Sequence, residues 1–139
     1  MFQILSATLT AGDIAARTGL AADTIWKAGD QRGRFGAAEK KNGFVLESKL
    51  PIASSLDEHM KAMLRRLAPA AQKIGALADE CAVEFVCTVH RKTAPMLRFD
   101  RDDLRWLGVM GARLDVDTFV LEDRGTSHAP SGPQTPGGP

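Results

Sequence analysis

The sequence predicts an α+β fold: a two-layer sandwich with helices on one face of a mainly antiparallel sheet. Three observations carry this expectation. First, Ala82–His90 (AVEFVCTVH) alternates, with Val83, Phe85, Cys87 and Val89 on one side and Glu84, Thr88 and His90 on the other. That is the period-two pattern of a half-buried strand, and it reads as a central one. Second, Leu56, Met60, Met63, Leu67, Ala70, Ile74 and Leu77 are spaced by steps of four and three, which places them on one helical stripe. Third, the elements follow the order strand, short helix, hairpin, long helix, strand, helix, strand, which a ferredoxin-like core with one extra helix accommodates.

Along the chain, Phe2–Leu9 is apolar on both parities and suits a strand lying inside a sheet. Ala11–Thr18 follows as a short helix with Gly19 placed to cap its C-terminus. From Ala21 to Asn42 the pattern dissolves into polar residues around the apolar pair Ile25-Trp26, so a loop with an anchor is expected, with Arg34–Ala37 as a short hairpin strand. Lys41-Asn42-Gly43 would turn that hairpin into the alternating strand Phe44–Leu50, with Leu50 inward. Ser55 and Glu58 have the spacing of a capping box that opens the long helix, and Pro69 interrupts it. Asp100 offers a cap for a helix over Arg101–Ala112 with Leu104, Leu107 and Met110 facing the sheet, and Arg113–Leu121 reads as the last strand.

With 139 residues, 44% of them hydrophobic and 25% charged, the chain fits one domain, expected over residues 1–123. Residues 124–139 form a Gly- and Pro-rich tail whose composition cannot repay the entropy of ordering. Eighteen basic against 17 acidic side chains leave a net charge of +1, so no global field gathers phosphates or an anionic bilayer. Nucleic acid is not an expected partner. No apolar run approaches the roughly 18 residues of a membrane span, and Met1–Leu9 lacks the marks of a signal peptide, which together point to the cytoplasm. Abundant Ala, Arg and Asp without Tyr fit a bacterial source. Cys81 and Cys87 lie too far apart along an extended chain, about 20 Å, to bridge each other.

Several short motifs then coincide. They are Ala11-Gly12-Asp13-Ile14; Thr18-Gly19-Leu20 leading to Trp26 and Gly29-Asp30; Gly43-Phe44-Val45-Leu46 with Ser48; the Leu-His-Met helix containing Pro69; and, most specific, Gly111-Ala112-Arg113-Leu114-Asp115-Val116-Asp117. On these the chain resembles domain-of-unknown-function family 4279, over roughly Ile4 to Phe119. It departs from the usual pattern at Ala21-Ala22, where a proline often follows the leucine, at Phe44 for a tryptophan and at Phe119 for a tyrosine. The resemblance implies no established activity. Similar proteins in toxin and immunity neighbourhoods imply partner binding.

The residues themselves carry no glycine-rich phosphate loop, metal-ligand spacing or nucleophile elbow, so no catalytic residue, metal or cofactor is assigned. The expected function is binding, to a protein partner, through Trp26, Asp30, Arg34, Asp115 and Asp117. Trp26 either pins its loop to the core, the preferred reading, or lines a recognition surface. Asp115 and Asp117 share a strand face about 7 Å apart, as on any solvated strand. The basic loop Arg32–Gly36 with Lys40-Lys41 is read as a solvated turn. His90 beside Arg91 and Lys92 has no evident partner. The rival reading is a small enzyme or ligand- or metal-binding domain built from Asp13, Asp30, Asp115 and Asp117 around a pocket beside Trp26.

Overall fold

The computed structural model describes residues 1–93 and 96–120. β1 (Phe2–Ser6) leads through α1 (Ala11–Thr18) to β2 (Thr24–Trp26) and β3 (Asn42–Leu46). α2 (Leu56–Leu67), a 3₁₀ turn at Ala68–Ala70 and α3 (Ala71–Leu77) then lead to β4 (Ala82–Arg91), followed by α4 (Arg101–Val109) and β5 (Arg113–Val120). The five strands form one sheet in the order β2-β3-β1-β4-β5. β1 is antiparallel to β3 and β4, and β2 is antiparallel to β3, while β5 runs parallel to β4. The first four strands and their helices reproduce the split β-α-β arrangement of a ferredoxin-like core. α4 supplies the crossover that a parallel neighbour such as β5 requires.

Local chemistry fixes each helix end. Thr10 and Asp13, Ser55 and Glu58, and Asp100 and Asp103 each form a reciprocal capping box at the start of α1, α2 and α4. Gly19, at φ 74°, closes α1 in the left-handed region. Pro69 falls in the 3₁₀ turn, where its missing N–H is tolerated, so the apolar stripe runs on from Met60, Met63 and Leu67 to Ala70, Ile74 and Leu77, all buried. These pack on Phe2, Ile4, Phe44, Leu46, Val83 and Phe85 of the sheet, where Phe2 and Phe85 meet edge to face at 5.2 Å.

Several expected boundaries move, each for a local reason. β1 stops at Ser6, whose Oγ accepts the N–H groups of Thr8 and Leu9 and turns the chain. The first hairpin strand is Thr24–Trp26 rather than Arg34–Ala37, because Trp26 lies over Gly43, where a Cβ would come within 2.1 Å of the indole ring. Gly33, at φ 83°, bends the expected strand, and only an isolated bridge joins Gln31 to Ala38. β3 ends at Leu46 rather than Leu50, since the Asp23 carboxylate takes the Glu47 N–H and Lys49 adopts φ 63°; Leu50 is correspondingly 36% exposed. α4 ends at Val109, with Gly111 at φ 61°, and Leu104 is exposed while Leu107 and Met110 face the core. Leu121 and the expected tail at 124–139 lie outside the described residues.

Two helical glycines test the packing with opposite signs. A Cβ on Gly75 of α3 would meet the Val109 carbonyl oxygen at 2.2 Å, whereas one on Gly108 of α4 meets nothing within 4 Å. Alanine gains about 1 kcal/mol of helix propensity at either position. Backbone overlap outweighs that gain at Gly75, so Gly75→Ala lowers stability by about 2 kcal/mol. Gly108→Ala raises it by about 0.5–1 kcal/mol. Urea midpoints at unchanged slope read both.

Candidate functional site

β4 outruns β1, which pairs with its inner edge. β1 matches β4 from Leu5↔Ala82 to Phe2↔Phe85, and Met1 and Val86 exchange backbone hydrogen bonds just beyond, at 2.8 and 2.9 Å. β4 then continues to Arg91. Because strand N–H and C=O groups point alternately to either side, the mutual Met1–Val86 pair fixes the parity: even-numbered residues of β4 face β1, and odd-numbered ones face β5. The N–H and C=O groups of Thr88 and His90 therefore point into the space that β1 does not fill. On its other side β3 has turned away at Glu47.

A cleft of about 730 Å³ occupies that space, lined by Met1, the 47–54 segment, Leu56, His59 and residues 86–91 of β4. Its rim is apolar where the surface is normally polar: Ile52 is 87% exposed and Leu50 36%. A second pocket of about 460 Å³ shares Leu56, Val89 and Arg91 with it and adds Ser55, Asp57, Met96, Arg98 and Asp100. The segment between β3 and α2 is held in shape by polar contacts. Ser48 Oγ and His59 Nδ1 lie 2.5 Å apart, and Asp23 accepts from the Glu47 N–H at 2.8 Å, Arg66 at 3.0 Å and Lys49 at 2.9 Å. The Arg66 hydrogen bond above all, then the Glu47 amide and Lys49, hold the Asp23 carboxyl far below the usual carboxylate range. This clamp sustains the left-handed Lys49, the one non-glycine residue with positive φ among those described.

The residues singled out from the sequence do not converge. Trp26 is 7% exposed; its Nε1 donates to the Lys41 carbonyl at 3.0 Å and the Arg32 guanidinium sits 3.8 Å above the ring, so it pins β2. Asp30 closes a turn by accepting the Lys27 N–H. Arg34 lies over the exposed Phe35 ring at 5.5 Å. Asp115 belongs to a polar ladder across the other face of the sheet: Gln3 donates to Glu84 at 2.6 Å, Glu84 pairs with Arg113 at 2.7 Å, and Arg113 pairs with Asp115 at 3.0 Å. Asp117 is exposed, in register with Thr88. Trp26 and Asp115 stand on opposite edge strands, about 19 Å apart by strand spacing. Asp13 is spent in the α1 capping box, which lowers its carboxyl. No three His, Cys, Asp or Glu side chains among the described residues are grouped to hold a metal ion. The carboxylate pocket of the rival reading is thus not assembled.

Sequence reasoning missed the cleft. The mismatch of length that opens it, ten residues in β4 against five in β1, exists only in the folded chain, because in the sequence the first apolar run extends to Leu9. His90 stacks on Phe119 at 5.1 Å, a partner that only the parallel register supplies. Burial pushes the Cys87 thiol up, so although it lines the cleft it stays a neutral thiol rather than a thiolate.

Among known proteins, a family model described as a domain of unknown function (DUF4279) matches residues 1–121. No curated protein and no solved structure matches the chain. Among the described residues, no helix is long and apolar enough to cross a membrane.

The Asp23 clamp has a pH signature. Its folded carboxyl is harder to protonate than the unfolded one, so its contribution is complete above the unfolded value near pH 4 and is lost progressively as pH falls below it. Asp23→Asn therefore lowers stability at pH 7 by about 1–2 kcal/mol. It also makes the loss between pH 5 and pH 2.5 shallower than in the parent, as urea titrations at those pH values will read.

Proposed function

The chain belongs to the DUF4279 family, whose description carries no activity, and on that premise we propose that it is a binding module that takes an extended segment of a partner protein beside β4. The observation that carries the reading is the open inner edge of β4: the Thr88 and His90 backbone groups face a cleft of about 730 Å³ instead of a strand. A peptide that adds as a strand gains affinity from main-chain hydrogen bonds and specificity from alternate side-chain pockets. Leu50, Ile52 and Met1 offer apolar contact at the mouth, and pairing with β5 already sets the edge in strand geometry, which limits the entropy of association. The edge strand β2 offers less: it has three residues, and its large aromatic is turned inward.

Peptides selected from a random display library against the immobilised protein test this reading. Bound peptide protects the Thr88 and His90 amides from hydrogen exchange, whereas the odd-numbered amides of β4, paired with β5, are protected already. Thr88→Pro removes one donor aimed into the cleft and none aimed at β5, and it abolishes binding. Ile52→Asp, at an exposed position that folding does not need, weakens binding about tenfold. Selected peptides that bind both variants as tightly as the parent, and leave the two amides exchanging freely, would overturn the reading.

A further inference from the structure

We propose that the occupant is an acidic segment running antiparallel to β4, with the pattern acidic, any, apolar, any, apolar from its N-terminus, its carboxylate seated between Arg91 and Arg98. This rests on the strand-addition reading and goes beyond it by naming the chemistry and direction of the segment. Direction follows from β1. A strand that continues β1 past Met1 runs antiparallel to β4, and antiparallel pairs are the more stable per residue. Register follows from the Met1–Val86 pair: successive residues of the segment, read back from Met1, stand opposite Cys87, Thr88, Val89, His90 and Arg91.

Directly opposed residues share a face of the sheet. The positions opposite Cys87 and Val89 therefore point to the helix layer, where Val89 is 7% exposed and Leu56 and His59 line the cleft, so apolar side chains fit there. The positions opposite Thr88 and His90 point to the other, solvated face, where most side chains are tolerated. The position opposite Arg91 returns to the helix side, at the smaller pocket where Arg91 and Arg98 both line the wall. Among the described residues neither arginine has a carboxylate within 4.0 Å; Arg98 contacts only the Met96 sulfur, at 3.6 Å. Of the two acids at this pocket, Asp100 is already neutralised by Lys61 at 2.6 Å, which leaves Asp57 against two guanidinium groups. An incoming carboxylate completes that charge balance and can be held by both nitrogens of a guanidinium.

The test uses a fluorescent, acetylated and amidated peptide with the core Glu-Thr-Val-Thr-Val and three relatives: Lys in place of Glu, both Thr amides N-methylated, and a scrambled order. Anisotropy against the full chain is expected to show the acidic peptide binding about tenfold more tightly than its Lys relative, a preference that shrinks with added salt. Arg91→Gln combined with Arg98→Gln brings the two peptides to parity, while the urea midpoint confirms that the variant is folded. N-methylation abolishes binding of both. If the acidic and Lys peptides bind equally and N-methylation still abolishes binding, the acidic assignment falls and strand addition stands. If N-methylation has no effect, or if no peptide binds, strand addition falls and the assignment falls with it.

Discussion

Everything in this sheet hangs on five residues. Among the described residues, β1 lies between β3 and β4 and is the only strand that joins the β2-β3 side to the β4-β5 side, so Phe2, Gln3, Ile4, Leu5 and Ser6 must satisfy two ladders at once. Its side chains divide accordingly. Phe2 and Ile4 are completely buried under the helices, and Gln3 on the other face donates to Glu84, the residue opposite it. A strand this short can join two sheets' worth of partners only if the partners are aligned, and the long helical stripe from Met60 to Leu77 supplies the surface that aligns them. Hydrophobic burial thus sets the layer, and the β1 ladders set the register.

Where β1 stops, polar chemistry takes over. Asp23 ties the end of β3 to Arg66 of α2, and Ser48 meets His59 of the same helix, so the segment after β3 is drawn towards α2 and away from β4. On the far side Lys61 bridges Asp100 and the buried Asp103, and these two hydrogen bonds raise the lysine well above its ordinary value. That bridge fastens α4 to α2 and so places the 96–100 segment, with Arg98, at the smaller pocket that adjoins the cleft. The opening beside β4 is bounded by two charge-assisted clamps rather than by loosely packed loops.

Most of the architecture was legible in residues with periodic or capping signatures. The central strand, the Met60–Leu77 stripe with its tolerated proline, and the Ser55 and Asp100 caps all come from patterns whose physics is local. The misplaced elements depend on long-range partners. β2 exists because Trp26 needs Gly43, 17 residues away in the chain, to accept an indole above it, and Arg34–Ala37 has no such partner. The candidate site was harder still. Trp26, Asp30, Arg34, Asp115 and Asp117 are individually suggestive residue types, yet each is occupied by a local task or isolated by the sheet. The cleft arises from an absence of pairing, and an unpaired backbone edge has no residue signature.

The position of Met1 bears on how the protein should be handled at the bench. Its amine donates to the Val86 carbonyl at 2.9 Å, and Met1 lines the cleft. A purification tag fused ahead of it would begin beside the open edge of β4, tethered at an effective concentration on the order of millimolar. On the proposed strand addition, such a tag would compete with a weak ligand for the β4 edge, so material carrying an N-terminal extension and material without one are different reagents.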